Sequence, residues 1–447
     1  MKRFYSLLCG ILLAAMLGVG LVSMFDSDAT FSATEKRALK AKPKLSLSAL
    51  LDGSYSGNLS EYYADTFPMR ETLMKTNRSL NNFYYFSALS GKDAPQVVIN
   101  ANNNTAAGGE ALSDHQKPST EKPNESGSSQ QEEPTEPTEN DAPAEQLGAV
   151  LLVGNRALEV PYANHDNIER YAKAVDAIDK ALGSSVRTFN IAVPNAAEFY
   201  APSAYRTSST SQKDMIDFCY SKAGKNVITV DAYSKIAPHT DEYIYFRTDH
   251  HWTQLGAYYA YTAFCESAGL KAVNLREFET GTYENFVGAM YTFASEYPQS
   301  QILVDEPDTV YFYRPTVETH AKYYSDATLS DPITIGVISN VSEGISNKYL
   351  CFIGGDTPIC IIETDVDGPV CMLIKESYGN AFAPFLTQHY SKVIVVDPRE
   401  FNRDGKPSLD LAAFAKEQGV NDCIILNYPM VYNATGYTKW LERLVEQ

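Results

Sequence analysis

Two short segments hold the residue types from which a nucleophilic hydroxyl, its base and the group that orients the base can be assembled. Arg247-Thr248-Asp249-His250-His251-Trp252-Thr253 supplies a carboxylate and two imidazoles in close register. Lys375-Glu376-Ser377-Tyr378-Gly379-Asn380 presents a lone serine where a hydrophobic run ends. Asp249 and His251, two residues apart, can face the same side of an extended turn. The carboxylate then holds the imidazole tautomer that accepts a serine proton. Adjacent histidines point in different directions, so the chemistry falls to one of them, and His250 and Trp252 are left as packing or wall residues. A metal site is the alternative for paired histidines beside an aspartate, although no HxxxH or third-histidine pattern accompanies them. Structurally satisfied histidines are another alternative, and for Ser377 the competing role is a helix cap.

These residues need a scaffold that brings them together. In an open parallel sheet, sites gather at the carboxyl edge of the strands. Ser377 suits that place: residues 370–374 read as a strand, a short turn holds the serine, and a helix begins near Gly379-Asn380. Free N–H groups of that helix start would lie close by for an oxyanion. Thr253 is placed to cap a helix over 253–269. Residues 186–194, 227–231, 392–396 and 423–426 read as further buried strands, and 167–182 and 211–224 as helices. Apolar runs without alternation, separated by helices, predict an α/β fold with a parallel sheet covered on both faces. Residues 282–364, rich in Tyr, Val, Thr and turn formers, read as an antiparallel insertion.

The 447 residues can form one large domain with insertions or two to three domains, and 44% hydrophobic with 12% aromatic content is ample for a core. A net charge of -18 excludes a nucleic-acid partner on electrostatic grounds, although an acidic linker carries part of it. Met1-Lys2-Arg3 followed by apolar residues 4–25 reads as a signal-anchor or transmembrane helix over 1–25. The positive-inside rule puts the remainder outside the cytoplasm. Secretion after signal cleavage is the alternative, with Phe31-Ser32-Ala33 a poor cleavage site. Residues 26–99 carry aromatics at helical spacing (Tyr62, Tyr63, Phe67, Phe83, Tyr84), a break at Phe67-Pro68, and a first strand at Gln96-Val97-Val98-Ile99. Residues 100–146 are a disordered acidic low-complexity linker. Apolar runs on both sides of it favour a loop inserted within one domain over a tether, with the catalytic domain at 147–447. Six cysteines beyond Cys9 lack CxxC spacing and read as small buried hydrophobes. A Cys351–Cys360 disulfide is left open.

Asp-His-His-Trp at 249–252 with Lys-x-Ser-Tyr-Gly-Asn-x-Phe at 375–382 resembles the DHHW proteins of Gram-positive bacteria. These are similar to the AlgX/AlgJ group of SGNH-hydrolase-like polysaccharide O-acetyltransferases. The resemblance also takes in Glu35-Lys36-Arg37 with Pro43, and Tyr63-Ala64-Asp65-Thr66-Phe67-Pro68-Met69-Arg70, so it spans nearly all of the chain outside the anchor and the linker. It implies an SGNH-hydrolase-like sheet and a triad of Asp249, His251 and Ser377, in an order permuted relative to ordinary SGNH esterases. It further implies that Arg399 and Tyr428 line the pocket, with Asn427 as an alternative neighbour, next to Tyr378 and Asn380 of the serine motif. Glu376 stands where an aspartate is commoner. The activity implied is acetyl transfer to or from a cell-envelope or exported polysaccharide. A membrane acyltransferase of the MBOAT class would be the partner, and no metal or cofactor is required. An acetylesterase with the same triad and a catalytically silent glycan-binding scaffold are the competing readings.

Overall fold

The computed structural model describes residues 144–446 apart from 343 and 404, and, nearer the N-terminus, residues 31–32, 37–38, 42, 55 and 62. The chain divides into two compact units, Met1–Ser87 and Ala88–Gln447. In the first, Phe31–Ser32 pairs antiparallel with Arg37–Ala38. The expected membrane helix at 1–25 and the strand at 96–99 lie outside the described residues. So do the aromatic-rich helices before residue 87, except Tyr55 and Tyr62, both helical. Among the described residues no helix is long and apolar enough to cross a membrane.

The described part of the second unit opens with a three-stranded antiparallel sheet of β1 (Ala144–Leu147), β2 (Val150–Val153) and β3 (Arg156–Leu158). Residues 144–146, expected as the end of the linker, are instead held by ladder bonds to β2, and the rest of that linker lies outside the described residues. The sheet buries Leu147, Val150, Leu152 and Ala157 against Met290, Ala294 and Leu303 in a small core of its own.

Among the described residues the main sheet has eight strands. In chain order they are β4 (Arg187–Ala192), β5 (Ile228–Thr229), β8 (Thr319–Tyr324), β9 (Ile333–Ile335), β10 (Ile359–Thr364), β11 (Val370–Lys375), β12 (Lys392–Val396) and β13 (Asp422–Asn427). The intervening β6 (Glu279–Phe286) and β7 (Asp308–Arg314) form a separate antiparallel pair. Across the main sheet the order is β9-β8-β10-β12-β11-β13-β4-β5. The five strands from β12 to β5 are parallel. β10, β8 and β9 extend that edge antiparallel. The segment 282–364 is thus antiparallel as expected, but part of it continues the main sheet, where the apolar run Ile359-Cys360-Ile361-Ile362 pairs with the edge of β12 and is buried.

Among the described residues, five helices of eight or more residues besides the one after β11 surround this sheet: α1 (His165–Leu182), α2 (Gln212–Ser221), α3 (Gln254–Ala268), α5 (Leu411–Gln418) and α6 (Thr435–Arg443). α4 (Tyr378–Leu386) follows β11 directly. α1 packs with α2, α5 and α6, whereas α3 packs with α4. β4, β11, β12 and β13 are buried along almost their whole length, as strands covered on both faces must be. All six described cysteines are buried free thiols, so Cys351 and Cys360 are not joined.

Candidate active site

The loop that carries the histidines is closed at its base by an antiparallel bridge between Tyr245 and Trp252. Thr253 then caps α3, its hydroxyl accepting from the Gly256 N–H at 3.4 Å. Three sets of contacts hold the loop in shape. Asp308, at the start of β7, accepts from the N–H groups of Arg247 and Thr248, the Thr248 hydroxyl at 2.7 Å and the Tyr243 hydroxyl at 2.5 Å. Arg156 of β3 donates to the carbonyls of Tyr245 and Phe246. The turn at Gly288-Ala289 donates to the Thr248 hydroxyl and to Asp249 Oδ2, the latter at 2.7 Å.

Ser377 lies between the end of β11 and the first turn of α4, at the carboxyl edge of the parallel strands. Its side chain makes no capping bond to the helix, which removes the helix-cap role. Gly379 is required beside it: a Cβ there would fall 2.4 Å from Cβ of Lys375 and 2.6 Å from its Cγ. The buried Lys375 stem therefore passes directly over the helix start.

The two segments meet, 126 residues apart in sequence: Ser377 Oγ is 2.7 Å from His251 Nε2. His251 Nδ1 is 2.5 Å from Asp249 Oδ1, and the same oxygen accepts the His251 backbone N–H at 3.0 Å. Burial alone would raise the Asp249 pKa, but His251, His250 and the Ala289 N–H together hold it well below the usual carboxylate range. An ionised Asp249 keeps the proton on Nδ1 and leaves Nε2 free to accept from serine. Cross-bonds fasten the segments to each other: the Trp252 indole donates to the Tyr378 carbonyl at 3.0 Å, and the Tyr378 hydroxyl to the His250 carbonyl at 2.5 Å.

The metal alternative has a weaker geometry. Asp249, His250 and His251 bring ligand atoms within 4.8 Å of one another. Yet Asp249 and His251 Nδ1 are already hydrogen-bonded, and His251 Nε2 faces the serine. That leaves His250 Nδ1 as the one buried ligand atom without a hydrogen-bond partner among the described residues. Burial, then His251, lowers the His250 pKa, so it packs as a neutral ring.

The expected oxyanion donors need correction. The N–H of Tyr378 is taken by Glu376 Oε2, that of Gly379 by the Glu376 carbonyl and that of Asn380 by the Ser377 carbonyl. The Ser377 N–H has no hydrogen-bond partner among the described residues, which leaves the serine's own amide for that task.

The residues expected to line the pocket separate into four groups. His250 and Tyr428 do lie at the site, their rings 6.0 Å apart, and Tyr428 stacks on Tyr378 at 4.4 Å. Trp252 and Tyr378 are fully buried braces. Asn380 and Arg399 are committed to carboxylates: Asn380 donates to Asp356 at 2.9 Å, and Arg399 to Asp356 at 2.7 Å and Asp397 at 2.6 Å. Lys375 joins the same cluster through Asp356 at 2.7 Å. Burial would raise Asp356, but Lys375 and Arg399 drive it far below the carboxylate range. Asn427 turns into the core and accepts from Tyr171 of α1 at 3.0 Å. Sequence reasoning missed Asp308, Tyr349, Asp356 and Glu159, the last hydrogen-bonded to Tyr428. Only Asp356 had a local signal, since Gly354 and Gly355 before it, at φ +69° and +100°, mark a turn that other residues resist.

These features describe an α/β protein with serine, histidine and aspartate in one hydrogen-bonded line at the carboxyl edge of a mostly parallel sheet. The chain belongs to the DHHW family, whose description, DHHW protein, matches residues 115–396. A DHHW family protein from Eubacterium siraeum DSM 15702 is 32% identical, with a TM-score of 0.59 over 68% of this chain and 98% of that one. Bacillus cereus PatB1 with a sulfonyl adduct shares the fold at 18% identity and TM-score 0.53, over 65% of this chain and 97% of that chain. Another PatB1 structure does so at 16% and 0.50, over 65% and 99%. No curated protein matches the chain in sequence.

Proposed function

We propose that the chain is an extracytoplasmic O-acetyltransferase, or the acetyl-carrying component of one, acting on a cell-envelope or exported polysaccharide. The observation that carries this reading is the line from Ser377 Oγ through His251 to Asp249, at 2.7 and 2.5 Å. Ser377 Oγ attacks an acetyl carbonyl while its proton passes to His251 Nε2, and Asp249 stabilises the imidazolium. The imidazolium returns the proton to the departing donor oxygen, leaving acetyl-Ser377. A sugar hydroxyl then gives its proton to His251 and takes the acetyl group, restoring the serine. The Asp-His-His-Trp and Lys-x-Ser-Tyr-Gly-Asn-x-Phe motifs, which resemble those of the AlgX/AlgJ group, support acetyl transfer over other acyl chemistry. Residues 1–25 are proposed as the anchor that keeps the domain at the outer membrane surface, and an MBOAT-class acyltransferase as the source of acetyl groups.

The test is turnover of a chromogenic acetyl ester by the full-length chain, with and without an added oligosaccharide. Ser377→Ala and His251→Ala should each remove turnover, and a sulfonyl fluoride should label Ser377 in the wild type, as read by peptide mass. Wild-type rates in either variant would sink the triad. Turnover without acetylated oligosaccharide would assign the chain to the esterases instead.

A further inference from the structure

His251 is not held by Asp249 alone. The ring of Tyr349 lies nearly parallel to the imidazole, 4.1 Å between centroids and 12° between planes. The hydroxyl of the same Tyr349 donates to the backbone carbonyl of Ser377 at 3.1 Å. One side chain thus touches the face of the base and the backbone of the nucleophile. It reaches both from a third segment, the single turn Lys348–Cys351, where it is wedged among Phe246 and Phe352. The fold does not need this contact to join the two motifs, because Trp252 and Tyr378 already bond across them.

We propose that Tyr349 is a positioning residue of the acyl-transfer site, holding the imidazole plane with its ring and the serine turn with its hydroxyl. The inference rests on the proposed chemistry of Ser377 and His251. A hydrogen bond at Nδ1 sets the direction of an imidazole but leaves the ring free to tilt about a broad sp³–sp² torsion. A parallel ring in contact removes that tilt, so Nε2 stays aimed at Oγ. When His251 takes the serine proton, the phenol face meets a desolvated cation, a contact that amounts to roughly tenfold in an equilibrium. Burial, with Asp249 and Glu376 nearby, holds the Tyr349 phenol well above its ordinary pKa. It therefore remains a hydrogen-bond donor at any pH suited to an acetyl-ester assay.

The experiment compares Tyr349→Phe and Tyr349→Leu in the full-length chain, with thermal melts alongside steady-state kinetics on a chromogenic acetyl ester. Tyr349→Phe keeps the stacked ring and loses one hydrogen bond, so kcat should fall about fivefold. Tyr349→Leu loses both, and kcat should fall about 50-fold. KM should change less than twofold in each, because Tyr349 touches the base and the backbone. The conservative variant should thus recover most of the leucine loss, a pattern that general destabilisation does not produce. A leucine variant within twofold of wild-type kcat overturns the inference, as does a loss confined to KM. If the leucine variant does not melt cooperatively, the phenylalanine variant decides, and wild-type kcat in it overturns the proposal. Failure of the underlying reading looks different: Ser377→Ala would then retain turnover whatever residue 349 is.

Discussion

Gly288 touches no reacting atom, yet its replacement by alanine should disable the site through Asp249. Its backbone, at φ -85° and ψ -170°, is one that alanine adopts freely, so the effect is purely one of space. A Cβ at this position would stand 2.2 Å from Cβ of Asp249, 2.4 Å from its Oδ2 and 2.7 Å from its Cγ. Ordinary contact starts at 3.4 Å, so the two chains must separate by about 1.2 Å (3.4 − 2.2). Neither side can yield cheaply. Asp249 is held by His251 at 2.5 Å and by the Ala289 N–H at 2.7 Å, and Gly288 itself donates to the Thr248 hydroxyl at 2.9 Å. A carboxylate that recedes by that distance loses its bond to His251 Nδ1 or drags the imidazole off Ser377. Misplacement by about 1 Å costs on the order of 100-fold in rate. The expected result for Gly288→Ala is a kcat for the acetyl ester lowered about 100-fold, with a melt that remains cooperative. A variant that folds and retains kcat within threefold of wild type would refute the reasoning, since Asp249 would then have no need of the seat described.

Two further outcomes follow from the charges around the nucleophile. Burial raises Glu376 to about 7, against an ordinary 4.5, so between those values the folded protein binds the extra proton. Its stabilising effect is complete below about pH 4.5 and is lost as pH rises through about 7; ionising it costs about 3 kcal/mol by pH 8. The stability of Glu376→Gln relative to wild type should grow by that order from pH 5 to 8 in denaturant titrations, and a pH-independent difference would contradict the assignment. Arg399→Ala strips Asp397 and Asp356 of their shared partner, leaving Lys375 2.7 Å from Asp356 and 3.8 Å from Asp397. Asp397 is fully buried, and taking away its close partner costs about 3–5 kcal/mol. Unfolding should show that loss with little change in KM for the acetyl ester; a KM effect without destabilisation would return Arg399 to the pocket.

Much of the scaffold was legible in the residues themselves. The runs at 370–374 and 392–396 correspond to Val370–Lys375 and Lys392–Val396, because a strand buried on both faces leaves an unbroken apolar stretch. Thr253 capping α3 and the placement of Ser377 after β11 were equally local. The antiparallel extension through β10 was not, since its apolar run does not say which edge it joins. The role of Arg399 was hidden for a related reason: its position after β12 is a matter of sequence, but its guanidinium follows Asp356, 43 residues away.

The sequence alone determined which residue types stand at the ends of which strands, and so named Asp249, His251 and Ser377 as groups able to act together. Only the tertiary structure decided that Oγ and Nε2 meet at 2.7 Å, that the helix-start amides are already engaged, and that Tyr349, Asp308 and Gly288 hold the line in place. The reason is range. Periodicity and capping act over a few residues and are written in neighbouring letters. Contacts between segments tens to more than a hundred residues apart arise from packing, which no local pattern encodes.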